Sequence, residues 1–117
     1  RLGALQFLTE RLRQKDSVIF LARFNDRMVG FVQLYPLLSS LRLRKMWVLN
    51  DVFVLPEYRG RTIGRQLIDH CKEYARGTRA LGLLLEAEKT NVQGNKLYQR
   101  TGFALDKDHN YYFWENK

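Results

Sequence analysis

The segment VLPEYRGRTIGRQLI, residues 54–68, decides the fold. It continues an apolar run at residues 45–55 that is typical of a central strand buried on both faces. Pro56 ends this strand, and a short polar turn follows. Apolar residues then recur at helical spacing and predict an amphipathic helix over residues 63–76. A buried strand, a turn and a helix in this order predict a single α/β or α+β domain.

The turn itself has features of an anion site. A helix N-terminus exposes backbone N–H groups at the positive end of the helix dipole. Gly60 and Gly64 would let a ligand approach the backbone closely, while Arg59, Arg61 and Arg65 could pair with phosphate oxygens. The same pattern also fits an ordinary strand-to-helix turn with solvated arginines, because short glycine patterns are weak signals.

A second informative segment is TNVQGNKLYQRTGF, residues 90–103, which predicts a short helix over residues 91–100. Tyr98 lies about two turns after Asn91, with Asn95 between them, so the three are predicted to share a face. The phenol of tyrosine has an ordinary pKa of about 10, and the pKa of a thiol is about 8.5 or higher. Because the two values are similar, tyrosine is a suitable proton donor to a departing thiolate. The alternative is that Tyr98 is a core residue that holds the helix on the sheet.

Together the two segments resemble the GNAT superfamily of acyl-CoA-dependent N-acetyltransferases, over roughly residues 18–115. The phosphate loop of that family reads Arg or Gln, two residues, Gly, one residue, Gly or Ala. Arg59 and Gly64 match it, but Thr62 stands where the first Gly is expected. The family's downstream block reads Asn, two residues, a small residue, two residues, Leu-Tyr, three residues, Gly-Phe. The matching residues here are Asn91, Gly94, Leu97, Tyr98, Gly102 and Phe103.

The resemblance implies an acyltransferase that takes acetyl-CoA as its acyl donor and a small-molecule or protein amine as its acceptor. It also implies a mixed, mostly antiparallel central sheet flanked by helices, in a single α/β (α+β) domain over residues 1–117. The first strand and helix of the family are expected to be lacking, because the chain starts directly with a segment that resembles a later helix.

The resemblance also implies roles for individual residues. The loop would bind the coenzyme A pyrophosphate, the adjoining strand would pair with the pantetheine arm, and the two asparagines would line the channel. The implied cofactor-binding residues are Val52, Phe53, Val54, Arg59, Gly60, Arg61, Thr62, Ile63, Gly64, Arg65, Asn91 and Asn95. Tyr98 would be the general acid that protonates the departing thiolate.

No base for the amine proton stands out. Asp51 is the weak candidate that we retain, beside Glu86 and Glu88, since carboxylates at strand ends are usually solvated or paired. Neither histidine lies near other ligands at metal spacing, so no metal site is expected. The lone Cys71 lies on the apolar side of its helix and is predicted to be a core residue.

Patterns elsewhere predict the remaining elements. Leu5, Leu8 and Leu12 recur at helical spacing and predict a helix over residues 2–14. β-Branched and aromatic runs predict an antiparallel hairpin and two later strands. These strands are expected at residues 18–23, 28–35, 81–87 and 111–115.

The charge of the chain leaves rival functions open. Its 117 residues include 20 Lys and Arg against 12 Asp and Glu, and a net charge of +8 attracts anions of every kind. A basic nucleic-acid-binding module is therefore the main rival, although the basic residues are spread along the whole chain. A domain that binds acyl-CoA without turnover is a third possibility, which the departure from the motif at Thr62 leaves open.

Composition also suggests where the chain works. A single cysteine and the lack of any long apolar stretch predict a soluble cytoplasmic protein with no membrane partner. The strand aromatics, among them Trp47 and Trp114, are predicted to fill the core or a homodimer contact.

Overall fold

The computed structural model describes residues 5–12, 17–39 and 44–116. Five strands form one sheet in the order β1-β2-β3-β4-β5, in which β4 and β5 are parallel and every other pair is antiparallel. The strands are β1 (Leu5–Leu12), β2 (Ser17–Phe24), β3 (Arg27–Ser39), β4 (Arg44–Val54) and β5 (Leu83–Leu85). The helices are α1 (Ile63–Gly77) and α2 (Val92–Arg100), and a 3-10 turn covers Pro56–Tyr58. This confirms the expected mixed, mostly antiparallel sheet with helices.

Helix α1 builds the core by covering one face of the sheet. Its apolar side carries Leu67, Ile68 and Cys71, which are fully buried against alternate residues of the three central strands. Trp47 of β4 is also buried, and its indole Nε1 donates a hydrogen bond to Thr78 Oγ1 at 2.9 Å. Because the helix directly follows β4 and leads into β5, its N-terminus lies just beyond the end of β4.

The helix predicted over residues 2–14 is wrong, because residues 5–12 form β1. This strand pairs antiparallel with β2, from Leu5 opposite Phe24 to Leu12 opposite Ser17. Phe7 faces the core, where its ring lies 4.3 Å from the ring of His70 on α1. Pairing with β2 satisfies the backbone and buries this aromatic side chain, and these tertiary contacts override the helical leucine spacing.

Two later predictions also need correction. The strand expected over residues 81–87 is only three residues long, and the strand expected over residues 111–115 does not form. That segment joins no ladder in the described chain, and its four aromatic side chains are exposed. Asp106 turns the chain before it, because its carboxylate accepts hydrogen bonds from the Asp108 N–H and from the Tyr111 hydroxyl. Of the strand aromatics, Trp47 fills the core as predicted, whereas Trp114 does not.

Neither of the two helices in the described part of the chain is long and apolar enough to cross a membrane.

Candidate active site

The candidate site begins where β4 and β5 part. Strand β5 pairs with β4 only at Trp47–Leu49, while β4 continues to Val54. On this side of β4, residues 50–54 therefore have no ladder partner within the described residues. An unpaired strand edge offers backbone N–H and C=O groups to an extended ligand. This edge includes residues 52–54, the segment predicted to pair with pantetheine.

A β-bulge lies at the start of this free edge. Phe53 is opposite Phe31 and Asn50 is opposite Gln33, so two residues of β4 face a single residue of β3. Such a bulge interrupts the ladder and changes the direction of the neighbouring backbone groups. Asp51 is one of the two bulged residues, but its side chain lies outside the described residues. Its role as a base stays a prediction.

The turn after β4 presents the N-terminus of α1. The carbonyl of Thr62 accepts the first helical bond, from the Gln66 N–H at 2.9 Å, so the three preceding helical N–H groups have no acceptor within the helix. These groups belong to Ile63, Gly64 and Arg65. Thr62 itself has φ 64°, in the left-handed region that favours glycine. Thr62 stands where the family motif has glycine, and its backbone has the conformation for which glycine is best suited.

Arginines surround this helix end. Arg59 Nε donates to the carbonyl of Val54 at 2.9 Å, which fastens the turn to the end of β4. The guanidinium of Arg61 lies 5.1 Å from the centre of the Tyr58 ring and remains exposed, as does Arg65. Gly60 has φ 78° and open space on its Cβ side. Free N–H groups, nearby cations and an open approach fit the pyrophosphate of coenzyme A.

Asparagine side chains organise the start of α2. Asn91 Oδ1 accepts the Gly94 N–H at 3.0 Å and caps the helix. Asn95 Nδ2 donates to the carbonyls of Glu88 and Asn91, at 2.8 and 2.7 Å. These bonds give both asparagines a structural task, while their predicted place in a cofactor channel stays a prediction. The predicted helix is confirmed, with Asn91 as its cap.

Tyr98 lies on α2, and this helix sits beside the phosphate loop. A Cβ on Gly64 would be 3.5 Å from Leu97 Cδ2, so the two helices meet where α1 begins. The Tyr98 ring is half-buried and packs edge-on against Phe103, with 6.0 Å between centroids. Leu97 therefore brings α2 against the start of α1, while the role of Tyr98 as a general acid stays a prediction.

A polar cluster lies at the bulge, and of its residues only Asn50, as a group that could orient a water, was considered from the sequence. Asn50 Nδ2 donates to the Tyr35 hydroxyl at 3.4 Å, and that hydroxyl donates to Gln33 Oε1 at 3.2 Å. Beside it, Phe31 and Phe53 form a ring pair with centroids 5.7 Å apart. We call these five residues the bulge cluster. Only the register of β3 on β4 brings them together, so no local pattern in the sequence could have revealed it.

Other chemically reactive residues contribute little to this site. Cys71 is fully buried on α1, and the loss of hydration raises the pKa of its thiol to about 12, which makes it a poor nucleophile. Glu86 and Glu88 are exposed just after β5. Among the described side chains, no three His, Cys, Asp or Glu residues are grouped closely enough to hold a metal ion.

Comparison with known proteins identifies the fold and the chemistry. The model of the acetyltransferase (GNAT) family matches residues 3–103. The chain is 38% identical over 104 residues to the uncharacterized N-acetyltransferase YhfO of Bacillus subtilis, covering 89% of this chain and 70% of that protein. It is 25% identical over 99 residues to a streptothricin acetyltransferase of Escherichia coli, covering 85% of this chain and 54% of that protein.

A solved structure gives the same result. The crystal structure of a probable acetyltransferase superposes with a TM-score of 0.84 at 38% sequence identity, covering 92% of this chain and 72% of that one. The chain therefore belongs to the GNAT acetyltransferase family, whose members catalyse acyl transfer.

Proposed function

We propose that this chain transfers an acetyl group from acetyl-CoA to a primary amine. The observation that carries the proposal is the continuity of two binding features. The free edge of β4 at residues 50–54 leads through one short turn to the exposed N–H groups at the start of α1. Acetyl-CoA has an extended arm with amide groups, which matches the free strand edge. The diphosphate at the end of that arm matches the N–H groups that follow.

Each feature has its own task in holding the donor. The backbone of residues 52–54 would pair with the amides of the pantetheine arm. The N–H groups of residues 61–65 would bind the pyrophosphate, with Arg59, Arg61 and Arg65 supplying positive charge. When bound there, acetyl-CoA supplies a thioester carbonyl as the electrophile. A backbone N–H next to the bulge is suited to polarise that carbonyl.

The reaction needs two proton movements in this site. The amine nitrogen forms a C–N bond as the C–S bond breaks, the nitrogen loses one proton and the sulfur gains one. Tyr98 Oη is the proposed donor to the sulfur, because its helix lies against the start of α1. Asp51 is the weaker proposal for the group that takes the amine proton, directly or through water.

The acceptor is proposed as a class. The streptothricin acetyltransferase named above is similar to this chain, and the family relatives are N-acetyltransferases. These names support a primary amine, carried by a small molecule or by a protein. The net charge of +8 supports acetyl-CoA as the donor, because a basic protein attracts its phosphate groups.

Thiol release tests the proposal. Purified protein is mixed with acetyl-CoA and a panel of primary amines, and free coenzyme A is measured with a thiol reagent. We expect amine-dependent release, and we expect Tyr98→Phe to lower kcat by about 10²-fold or more with little change in acetyl-CoA affinity. Tyr112→Phe is the matched control, because Tyr112 is 91% exposed and outside the site. Equal turnover of Tyr98→Phe and wild type would remove Tyr98 from the mechanism.

A thermal-shift titration with acetyl-CoA and with a DNA duplex, run beside the thiol assay, separates the rival functions. Stabilisation by acetyl-CoA without thiol release with any amine would favour a binding domain without turnover. Stabilisation by a DNA duplex that weakens steeply with salt, and none by acetyl-CoA, would favour nucleic-acid binding.

A further inference from the structure

The outer edge of β5 is open. Strand β5 is the last strand of the sheet, and β4 takes its inner edge. Just before β5, the Leu81 N–H donates to the Lys45 carbonyl and the Trp47 N–H donates to the Gly82 carbonyl, so this approach also bonds to the β4 side. No described strand pairs with the other side of residues 81–85, which we call the β5 edge. An unpaired edge is a template for one more strand.

A cleft lies beside the β5 edge. It has a volume of about 320 Å³ and separates the start of β5 from the chain that follows α2, with α1 as a third wall. Leu83 and Phe103 contribute apolar lining, and Lys72 and Arg76 add positive charge. Arg76 also pairs with Glu73, but none of the described residues that line the cleft is acidic. The cleft is therefore suited to a bulky apolar side chain with a carboxylate next to it.

Such side chains are exposed on the segment Tyr-Tyr-Phe-Trp-Glu at residues 111–115, which we call the aromatic segment. Its four aromatic side chains are 69–91% exposed. Before it, the Asp106 carboxylate accepts hydrogen bonds from the Asp108 N–H and the Tyr111 hydroxyl, which close a turn. Ala104 is the last described residue that lines the cleft. The turn thus holds the aromatic segment of a chain outside the cleft of the same chain.

The aromatic segment and the β5 edge are both five residues long. An antiparallel pair that uses all five places Phe113 opposite Leu83 and Glu115 opposite Leu81. Directly opposite residues share a face of the sheet, and so do residues two apart on one strand. Leu81 and Leu83 both line the cleft. In this register the Phe113 ring enters the cleft, and the Glu115 carboxylate lies next to it on the same face.

Charge favours this antiparallel direction. It places Glu115 at the start of the β5 edge, beside Lys72 and Arg76 of the cleft. A parallel pair would reverse the segment and bring Glu115 toward Glu86 and Glu88, which are exposed just after β5. Opposite charges on neighbouring strands stabilise a pair, and like charges destabilise it.

A second copy of this chain can supply the segment. The turn at Asp106 keeps each segment away from its own cleft, while in a pair of copies each segment is complementary to the other copy's cleft. An aromatic side chain buries about 150–250 Å², so four rings from each of two copies bury roughly 1,200–2,000 Å². Stable interfaces bury about 1,600 Å² in total, so a reciprocal exchange of segments is large enough.

We propose that two copies of this chain form a symmetric dimer by exchanging their aromatic segments. The segment of each copy adds an antiparallel strand to the β5 edge of the other. The Phe113 ring fills the other copy's cleft, and Glu115 pairs with the cations there. The proposal concerns assembly and stands independently of the proposed acetyl transfer.

Sedimentation equilibrium tests the dimer. We expect the wild-type protein to dimerise with a Kd of about 10 µM or lower. Phe113→Ser should raise this Kd by about tenfold or more, because it empties the cleft. Met28→Ser is the matched control, because Met28 is 46% exposed at the start of β3, two strands from β5. A wild-type monomer at about 1 mM, or the same Kd in Phe113→Ser as in wild type, would overturn the proposal.

Charge reversal tests the direction of the strand pair. Glu115→Lys should raise the dimer Kd by about tenfold, because the new ammonium group meets Lys72 and Arg76. Glu10→Lys changes the net charge equally but lies on β1, at the opposite edge of the sheet, and should leave the Kd unchanged. An unchanged or lower Kd in Glu115→Lys would contradict the antiparallel pair.

Isotope-filtered NMR decides which chain supplies the segment. Protein with ¹³C-labelled alanine methyl groups is mixed with an equal amount of unlabelled protein, and only contacts between the two kinds of chain are recorded. We expect a nuclear Overhauser contact between the methyl group of Ala75, which lines the cleft, and the Phe113 ring of an unlabelled chain. Unlabelled Phe113→Ser should abolish it. A contact that appears only within one chain, or no contact at all, would overturn the exchange.

Discussion

Thr62 accepts a hydrogen bond from the side-chain amide of Gln66, 3.0 Å away, while its own backbone has φ 64°. A β-branched residue in the left-handed region costs roughly 1–2 kcal/mol relative to the right-handed one. The hydroxyl bond offsets part of this cost and explains how a threonine is accommodated here. The same side chain stands in the loop that is proposed to bind pyrophosphate.

Replacing Thr62 by glycine should therefore improve the loop. We expect Thr62→Gly to bind coenzyme A about tenfold more tightly, because the phosphate can approach the backbone more closely. Its Tm should change little, since relief of strain is balanced by the flexibility of glycine in the unfolded chain. Isothermal titration calorimetry measures the affinity, with Thr62→Val as the branched control. Weaker binding by Thr62→Gly would show that the threonine side chain itself holds the ligand.

Gly30 keeps β3 close to the end of β4. A Cβ at this position would lie 2.7 Å from the carbonyl oxygen of Phe53 and 3.3 Å from Leu67. We expect Gly30→Ala to destabilise the fold by about 2 kcal/mol, because both neighbours belong to packed elements. Urea unfolding measures the loss.

A second glycine provides the control. Gly77 ends α1 with no atom within 4 Å of its Cβ position and no positive φ. Gly77→Ala should be neutral or stabilising by up to about 1 kcal/mol. If Gly30→Ala and Gly77→Ala changed the free energy of unfolding equally, a steric role for Gly30 would be contradicted.

The α2 cap couples Asn91 to Gly94. A Cβ on Gly94 would lie within 3 Å of the Asn91 side-chain amide, so alanine there must displace the cap. Asn91→Ala alone should cost about 1 kcal/mol of stability, and Gly94→Ala alone about as much or more. In the double variant the clash disappears with the asparagine. We expect the cost of Gly94→Ala to fall by about 1 kcal/mol in that background, and strictly additive costs would contradict the coupling.

Local patterns predicted much of this fold. The hairpin of β2 and β3, strand β4, and both helices were predicted within a few residues, because each carries its own period or cap. The segment at residues 5–12 was misassigned because leucines at positions 5, 8 and 12 fit a helix. The adjacent edge of β2 made it a strand instead, which is a tertiary effect that no window of sequence contains.

In the candidate site, too, local motifs could be predicted from the sequence and features that depend on the fold could not. Arg59–Gly64 and the Asn91–Tyr98 block are contiguous motifs, so their places could be predicted, the first before and at the start of α1 and the second from the cap of α2 into its last turn. The left-handed conformation of Thr62 and the bulge in β4 depend on the path of the folded chain. The contact of Asn50 with Tyr35 crosses 15 residues and requires the exact register of two strands.

Burial of Cys71 makes a prediction about pH. The thiol pKa is raised from 9.0 to about 12 by desolvation, so the folded state favours the protonated thiol. Its contribution to stability is then present below pH 9 and is lost progressively as the pH rises toward 12. Alkylation by iodoacetamide at pH 8 should be slower than for an exposed thiol by roughly a thousandfold, the ratio of thiolate populations. Rapid alkylation of the folded protein at pH 8 would contradict this burial.

The most direct test of the central claim is calorimetric titration of the protein with coenzyme A. The account predicts saturable binding with a stoichiometry near one. It also predicts that affinity falls at least tenfold in Arg61→Ala combined with Arg65→Ala, while Arg76→Ala in the last turn of α1 leaves it unchanged. No binding at millimolar coenzyme A, or equal loss in Arg76→Ala, would contradict a pyrophosphate site at the start of α1.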